Sequence, residues 1–182
     1  MKLLRTIRLD PSDTFVFDKA AEPGEWAVPG SFVFWTRNPD LLEGKTRSAF
    51  RAGFLGLKSL GWSTLVQIVE VTEDDRAAAT EMLAQRLMDS FGAPDLTLAR
   101  LAAAEEIAYA ASLCDQPLNT LIAMHRVYEN ESIRETFRTL RPREGARPLR
   151  AFSFLDAEGD DEPTDEIDLA ELARVGTKEG SQ

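Results

Sequence analysis

The sequence changes its hydrophobic period at Thr72, and this change constrains the fold more than any other feature. Residues 63–72 (STLVQIVEVT) alternate between two faces residue by residue, which predicts a β-strand. Thr72 then opens a capping box with Asp75, and apolar residues follow at every fourth position as far as Phe91. This pattern predicts a helix that ends at Gly92. A strand that passes directly into a helix is typical of a domain that mixes both elements.

Other segments extend this pattern in both directions. A second helix is expected over 95–114, where seven alanines give a thin helix that can pack on both sides. Asn130 is expected to cap a third helix over 131–139, and 47–72 to form a hairpin that turns at 58–62. The remaining predicted strands are 3–9, 14–17, 26–28, 31–35, 119–128 and 149–155. This order predicts an α+β fold with an antiparallel or mixed sheet, a strand-rich N-terminal half, and two central helices packed on one face.

Acidic residues are concentrated at the C-terminus. The chain carries a net charge of −10, of which −8 falls on residues 156–182 and −2 on residues 1–155. A segment with high net charge and few apolar residues does not offset its ordering entropy. We therefore expect one α+β domain over 1–155 and a largely flexible acidic tail over 156–182. A short amphipathic segment interrupts this tail, and its apolar residues are predicted to bind a partner: Ile167, Leu169 and Leu172.

Composition argues against several classes of protein. The chain has one cysteine, Cys114, which excludes an internal disulfide and is expected to be a small buried residue. Cys114 and the one histidine, His125, are too few ligands for a structural zinc site. The acidic balance disfavours nucleic acid as a partner. No apolar run is long enough for a membrane span, no secretory signal is present, and a lone cysteine fits a reducing compartment. We therefore predict a cytoplasmic protein with no membrane partner and, since no nucleotide-binding or hydrolase motif is present, no metal and no cofactor.

Two runs carry a resemblance to known proteins. The run from Arg5 to Trp35 (RTIRLDPSDTFVFDKAAEPGEWAVPGSFVFW) and the run FSFLDAEG at 152–159 resemble a small family of short, uncharacterised bacterial proteins. The resemblance extends along most of the first 155 residues. No motif within it belongs to a known activity, so the resemblance implies no catalytic or binding residue.

An arginine cluster without any lysine is the most distinctive feature of the domain. Its members are Arg134, Arg138, Arg141, Arg143, Arg147 and Arg150. The first three would share one face of the predicted helix. Arginine binds carboxylate and phosphate through paired hydrogen bonds, so the cluster predicts a site for a small anionic ligand. The alternatives are a solvated surface with local ion pairs, and a contact with the acidic tail that begins six residues after Arg150.

His125 provides the basis for an enzymatic alternative. It shares a predicted strand face with Leu121 and Val127, and it would act as a general base with Glu105 or Glu106 of the second helix. The simpler interpretations are a half-buried histidine that makes one hydrogen bond, and glutamates that are solvated or ion-paired.

Together these features favour a non-enzymatic accessory protein that acts through contact with a protein partner whose identity the sequence does not give. The anionic-ligand site and the His125 enzyme are the alternatives. An uncovered edge strand of the sheet could also pair with the same strand of a second copy, so a homodimer is a further alternative. The three tryptophans, Trp26, Trp35 and Trp62, are predicted to pack in the core, with a binding surface as the alternative.

Overall fold

A computed structural model describes residues 1–142 and 155–158. In this part of the chain eight strands form one sheet in the order β4-β3-β2-β1-β5-β6-β7-β8, and every neighbouring pair is antiparallel. The strands are β1 Lys2–Ile7, β2 Trp26–Val28, β3 Phe54–Gly56, β4 Trp62–Ser63, β5 Leu65–Glu70, β6 Leu121–Glu129, β7 Ser132–Pro142 and β8 Leu155–Glu158. The helices are α1 Ser12–Val16, α2 Gly44–Ala52, α3 Glu73–Phe91 and α4 Leu96–Ser112, with short 3₁₀ turns at Ser31–Phe34 and Pro39–Leu41. The predicted α+β class is confirmed.

The change from strand to helix at Thr72 is confirmed in detail. The Thr72 hydroxyl accepts a hydrogen bond from the Asp75 backbone N–H at 3.1 Å, and Asp75 Oδ2 accepts one from the Thr72 N–H at 3.0 Å. This reciprocal capping box satisfies two amide groups that the helix cannot satisfy itself. Gly92 ends α3 with a φ of 73°, a left-handed conformation that costs glycine little.

Helices α3 and α4 pack against each other and against one face of the sheet. On that face the core contains Leu4, Ile68 and Ile122, and the helices contribute Leu83 and Ile107. Several alanines are also buried there, which allows the two helices to approach closely. A second buried cluster lies under the short N-terminal elements and is composed of Phe17, Phe34, Leu42, Ala49 and Phe50.

Two predicted strands of the N-terminal half are wrong. Residues 14–17 lie in and directly after helix α1, which follows a turn in which Ser12 donates its N–H to Asp10 at 2.8 Å. Residues 31–35 lie in and directly after a 3₁₀ turn that begins after Gly30, whose φ is 74°. Both runs contain adjacent aromatic residues, and composition alone does not distinguish a strand from a tight turn that buries one ring.

The predicted hairpin over 47–72 is present only in its middle part. Strands β3 and β4 pair Phe54 with Ser63, and α2 occupies the positions that precede them. The strand predicted over 149–155 lies outside the described residues except for Leu155. Strand β8 runs from that residue to Glu158, three residues beyond the predicted domain boundary. The partner-binding residues predicted in the tail, Ile167, Leu169 and Leu172, lie outside the described residues.

The helix predicted over 131–139 is wrong, because strand β7 begins at Ser132 and runs to Pro142. Asn130 and Glu131 have φ angles of 51° and 57° and form a two-residue turn between β6 and β7. Two successive residues with positive φ match the right-handed twist of a tight hairpin. Asn130 is therefore a turn residue and not a helix cap. Arg134, Arg138 and Arg141 lie in a strand, so the helical face predicted for them does not exist.

No helix among the described residues has the length and apolar character needed to cross a lipid bilayer.

Candidate functional site

A fully buried arginine on β6 is the centre of a polar network in the core. Strand β6 alternates in burial, and Ile122, Met124 and Arg126 all point to the face that α4 covers. The side chain of Arg126 is 0% exposed. Leaving a guanidinium without partners at such a position would cost several kcal/mol, so its surroundings must supply acceptors.

Three parts of the chain supply those acceptors. Arg126 Nε donates to Glu135 Oε1 on β7 at 2.8 Å, Nη1 donates to the Phe50 carbonyl at 2.7 Å, and Nη2 donates to the Pro29 carbonyl at 2.7 Å. The Phe34 ring lies 5.6 Å from the guanidinium carbon, and the Phe50 ring lies 5.8 Å from it. Arg126 therefore joins the β6–β7 hairpin to the end of α2 and to the loop after β2.

Glu135 connects this arginine to helix α4. Its Oε1 binds Arg126, and its Oε2 accepts a hydrogen bond from the Tyr109 hydroxyl at 2.8 Å. Burial, and then the hydrogen bond to Glu135, raise the pKa of Tyr109. Burial also lowers the pKa of Arg126, while the neighbouring Glu135 carboxylate opposes that change. Tyr109 is thus held as a neutral hydrogen-bond donor.

A second carboxylate, that of Glu106 on helix α4, lies beside this network. Its Oε1 accepts a hydrogen bond from the Gly30 N–H at 2.9 Å. Within the described chain no group donates a hydrogen bond to its Oε2. Burial raises the pKa of Glu106, and the charge of Glu135 raises it further, whereas the Gly30 hydrogen bond lowers it. The buried cluster thus holds two carboxylates and one guanidinium, and Arg126 is paired with only one of the carboxylates.

Glu106 also borders an apolar groove where α3, α4 and the 31–34 turn meet. The groove has a volume of about 350 Å³ and is lined by Phe32, Trp35, Leu83, Leu87, Ala102, Glu105, Glu106 and Tyr109. Its size and apolar walls with a few polar groups are typical of binding sites in proteins. Both charged residues of the lining are acidic, so any charged group that binds there favourably is a cation.

The outer face of α4 continues this apolar surface. Leu98, Leu101 and Tyr109 are exposed along it, and Leu101 is 58% exposed. Trp35 lies at the groove and is 72% exposed, so the prediction that it packs in the core is wrong. Trp62 is half-buried and stacks on Phe34 at 5.3 Å.

Trp26 lies beneath Arg5, whose guanidinium carbon is 3.7 Å from the centre of the indole ring. Such stacking lets the arginine shield the apolar face of the ring while it remains hydrated.

The predicted arginine cluster is only partly within the described residues. Arg134 and Arg138 lie on the exposed face of β7, opposite the face that binds α4. Arg134 forms an exposed ion pair with Glu129 at 3.3 Å. Arg141 pairs with Asp156 of β8 through the backbone. The other three members, Arg143, Arg147 and Arg150, lie outside the described residues.

The predicted pair of His125 and a glutamate is not brought together. His125 is exposed on the outer face of β6, where it pairs with Thr136. The shallow recess beside it is lined by Ala123, Met124, His125 and Arg138, with no carboxylate. Strand alternation explains this result, because Met124 and Arg126 point inward and the residue between them must point outward. Of the two predicted glutamates, Glu105 is exposed and Glu106 is the partly buried one.

Cys114 is a buried residue, as predicted. Its thiol donates a hydrogen bond to the Ala110 carbonyl at 3.4 Å, and burial raises its pKa to about 11. The thiol is therefore protonated at neutral pH and is a poor nucleophile. Across residues 1–140, no three His, Cys, Asp or Glu side chains are grouped closely enough to hold a metal ion.

Sequence reasoning missed Arg126, Glu135 and the contact of Glu106 with Gly30. A signal for the first two existed, since a charged residue at an inward position of an apolar strand needs a partner. Recognition of the hairpin turn at Asn130 would have placed Arg126 directly opposite Glu135. The contact between residues 30 and 106 had no local signal, because it depends on how α4 packs.

Fold and site together define a class: an α+β protein with an antiparallel sheet and two helices on one face, in which a buried ion pair lies beneath an open apolar groove. The chain belongs to the family of unknown function DUF6505, whose model matches residues 1–154. The membership of an uncharacterised family that the sequence indicated is thereby confirmed. Comparisons with the curated proteins and with the solved structures found no match.

Proposed function

We propose that this protein is an accessory protein that binds a protein partner through the outer face of α4. We call this region the docking surface and define it by Trp35, Leu98, Leu101, Glu105 and Tyr109. One observation carries the proposal: α4 is apolar around nearly its whole circumference, but the described chain covers only one side of it. A helix that is apolar all round is normally buried all round, and exposed apolar patches mark interaction sites.

The proposed occupant is a segment of another protein that combines apolar residues with lysine or arginine. The charge of the groove supports this choice, because Glu105 and Glu106 are its charged lining residues. The chain's own tail, with a net charge of −8 over residues 156–182, is a poor match for an acidic groove. A second copy of the chain would bring the same two glutamates to the interface.

The remaining parts of the interaction hypothesis stay proposals. The tail residues Ile167, Leu169 and Leu172 would form a second contact with the partner, outside the docking surface. The cytoplasm is the proposed compartment, and the buried free thiol of Cys114 fits reducing conditions.

The test is a binding measurement on the full chain with a matched pair of variants. A photo-crosslinking residue at position 101 identifies the partner, which is then purified and titrated by calorimetry. Leu101→Glu places a charge on the docking surface and is expected to weaken binding at least tenfold. Leu41→Glu places the same charge on another exposed leucine, 76% exposed, and is expected to leave binding unchanged.

Two results would contradict the proposal. One is equal binding of the partner by the Leu101→Glu variant and the unmodified chain. The other is a homodimer of the unmodified chain, detected by analytical ultracentrifugation, that the Leu101→Glu variant does not form, because a second copy would then be the occupant.

Anionic-ligand binding remains a second candidate, with a different location. His125 and Arg138 line the same exposed recess, and within residues 1–140 no acidic side chain forms an ion pair with Arg138. Inorganic phosphate and adenine nucleotides are the probes for thermal-shift measurements on the full chain. Stabilisation that Arg138→Gln abolishes would support this candidate, and no stabilisation at millimolar concentrations would contradict it.

A further inference from the structure

We propose that the groove beside Glu106 binds the cationic side chain of a lysine or arginine of the partner. This inference rests on the docking surface proposed above and specifies the chemistry of its anchor. The carboxylate of Glu106 provides the first observation. One of its oxygens is held by the Gly30 N–H, while nothing within the described chain donates to the other.

The walls of the groove fit a cation on an apolar stem. Phe32, Trp35 and Tyr109 provide aromatic rings, and an ammonium or guanidinium group is attracted to the face of such rings. Leu87 and Ala102 provide the aliphatic surface against which the methylene groups of a lysine or arginine pack. An acidic or neutral polar side chain would gain from neither feature.

The charge balance of the buried cluster also favours a cation. Nε and Nη2 of Arg126 each lie 2.8 Å from Glu135 Oε1, and Nη1 and Nη2 also donate to backbone carbonyls. Among residues 1–140 no cation forms an ion pair with Glu106, although the charge of Arg126 lowers its pKa from a distance. A cation that enters the groove would meet the carboxylates of Glu105 and Glu106, whereas Arg126 is not among the residues that line the groove. A charged hydrogen bond formed in such surroundings is stronger than one in water.

The test uses three synthetic amphipathic helical peptides with the same leucine pattern and with lysine, glutamine or glutamate at the polar positions. Each peptide is titrated into the full chain and followed by calorimetry. We expect the lysine peptide to bind about tenfold more tightly than the glutamine peptide and the glutamate peptide not to bind. In amide NMR spectra of the unmodified chain, the lysine peptide is expected to shift Gly30 and Glu106 more than the glutamine peptide does.

A matched pair of variants separates a local site from general attraction to an acidic protein. Glu106→Gln and Glu105→Gln remove the same charge from the same helix, and glutamine can still accept the hydrogen bond from Gly30. We expect Glu106→Gln to abolish the preference for lysine and Glu105→Gln to reduce it by less than threefold. Equal effects of the two variants, or equal affinities for the lysine and glutamine peptides, would overturn the inference.

The same measurements distinguish failure of the anchor from failure of the docking surface. If all peptides bind equally and Leu101→Glu weakens all of them, the docking surface stands and the cation site is wrong. If no peptide binds and no docking-surface amide shifts, both proposals are contradicted.

Discussion

Arg126 and Glu135 face each other across β6 and β7 and form an ion pair of 2.8 Å from which water is almost fully excluded. Their side chains are 0% and 8% exposed. The pair connects more than two strands, because the same guanidinium also binds the carbonyls of Pro29 and Phe50. The walls of the groove depend on these contacts, since the loop after β2 leads directly into the turn that carries Phe32 and Trp35.

Replacement of Arg126 by methionine is expected to lower the free energy of unfolding by about 3–5 kcal/mol. The variant leaves the Glu135 carboxylate buried without its cation and leaves two buried carbonyls without their donor. Urea unfolding measures the effect, and Arg134→Met is the control. Arg134 belongs to an exposed pair with Glu129, so its loss should cost less than about 1 kcal/mol.

The double variant Arg126→Met/Glu135→Leu tests the reason for this cost. Because it removes both charges, it is expected to be more stable than Arg126→Met alone. Equal stability of the single and double variants would show that lost packing, and not an unpaired carboxylate, destabilises the protein.

Glu106→Gln is expected to change how stability depends on pH. Burial raises the pKa of Glu106 above its ordinary value of 4.5, so the native state holds this proton more tightly than the unfolded state does. The stability that the neutral Glu106 carboxyl contributes is fully present below the ordinary pKa of 4.5, and it is lost as the pH rises through the higher native pKa. Glutamine does not titrate, so the Glu106→Gln variant keeps this contribution at every pH. Its free energy of unfolding should therefore rise relative to that of the unmodified protein as the pH rises.

Urea unfolding at a series of pH values measures this difference. Below about pH 4.5 the stability difference between the variant and the unmodified protein should be constant. Glu105→Gln reports the effect of removing an exposed negative charge from the same helix. A difference that does not change with pH for Glu106→Gln would contradict the assignment of the raised pKa.

Gly30→Ala is expected to destabilise the protein more than Gly24→Ala. Both glycines have positive φ angles, 74° and 83°, so both substitutions carry the same conformational cost of about 1 kcal/mol. A methyl group at position 30 would also lie 2.7 Å from the Leu55 Cβ, whereas one at position 24 would meet no atom within 4 Å. Thermal unfolding of the two variants isolates the cost of that contact.

The substitution at Gly30 should also shift residues that line the groove. Gly30 donates its N–H to Glu106 and precedes the turn that carries Trp35. The tryptophan fluorescence of the Gly30→Ala variant is therefore expected to differ from that of the unmodified chain, while the Gly24→Ala spectrum should not. Identical spectra and equal stabilities for the two variants would contradict the close approach of Gly30 to Leu55.

Glu131→Gly is expected to raise stability by about 1 kcal/mol. Glu131 has a φ of 57° at the second position of the β6–β7 turn, where glycine is the preferred residue. The gain measures strain that a side chain causes at this position, offset in part by the greater freedom of glycine in the unfolded chain. Glu129→Gly, in the neighbouring strand, is the control and should destabilise the protein.

The parts of the fold that local sequence signals specify were predicted. The strand at 63–72, the capping box at Thr72 and the end of α3 at Gly92 depend on residues close together in the chain, and all three are present. The turn at Asn130 and Glu131 was missed because neither residue is glycine, and a whole strand was therefore assigned as a helix. The aromatic runs at 14–17 and 31–35 were misassigned because short apolar segments lack a period long enough to identify them.

The candidate site shows more clearly which features depend on local sequence and which depend on the tertiary structure. The sequence by itself determined an α+β domain, an alanine-rich helix that can pack on both sides, and an acidic C-terminus, since each depends on composition and short-range periodicity. Only the tertiary structure decided that Arg126 points inward and His125 outward, that Glu135 binds Arg126, and that Gly30 meets Glu106. Strand register and helix docking fix these contacts between residues up to 76 positions apart. The pairing of Arg126 with Glu135 follows from the sequence only once the turn at Asn130 is recognised, whereas the contact of Gly30 with Glu106 depends on long-range packing that no local pattern encodes.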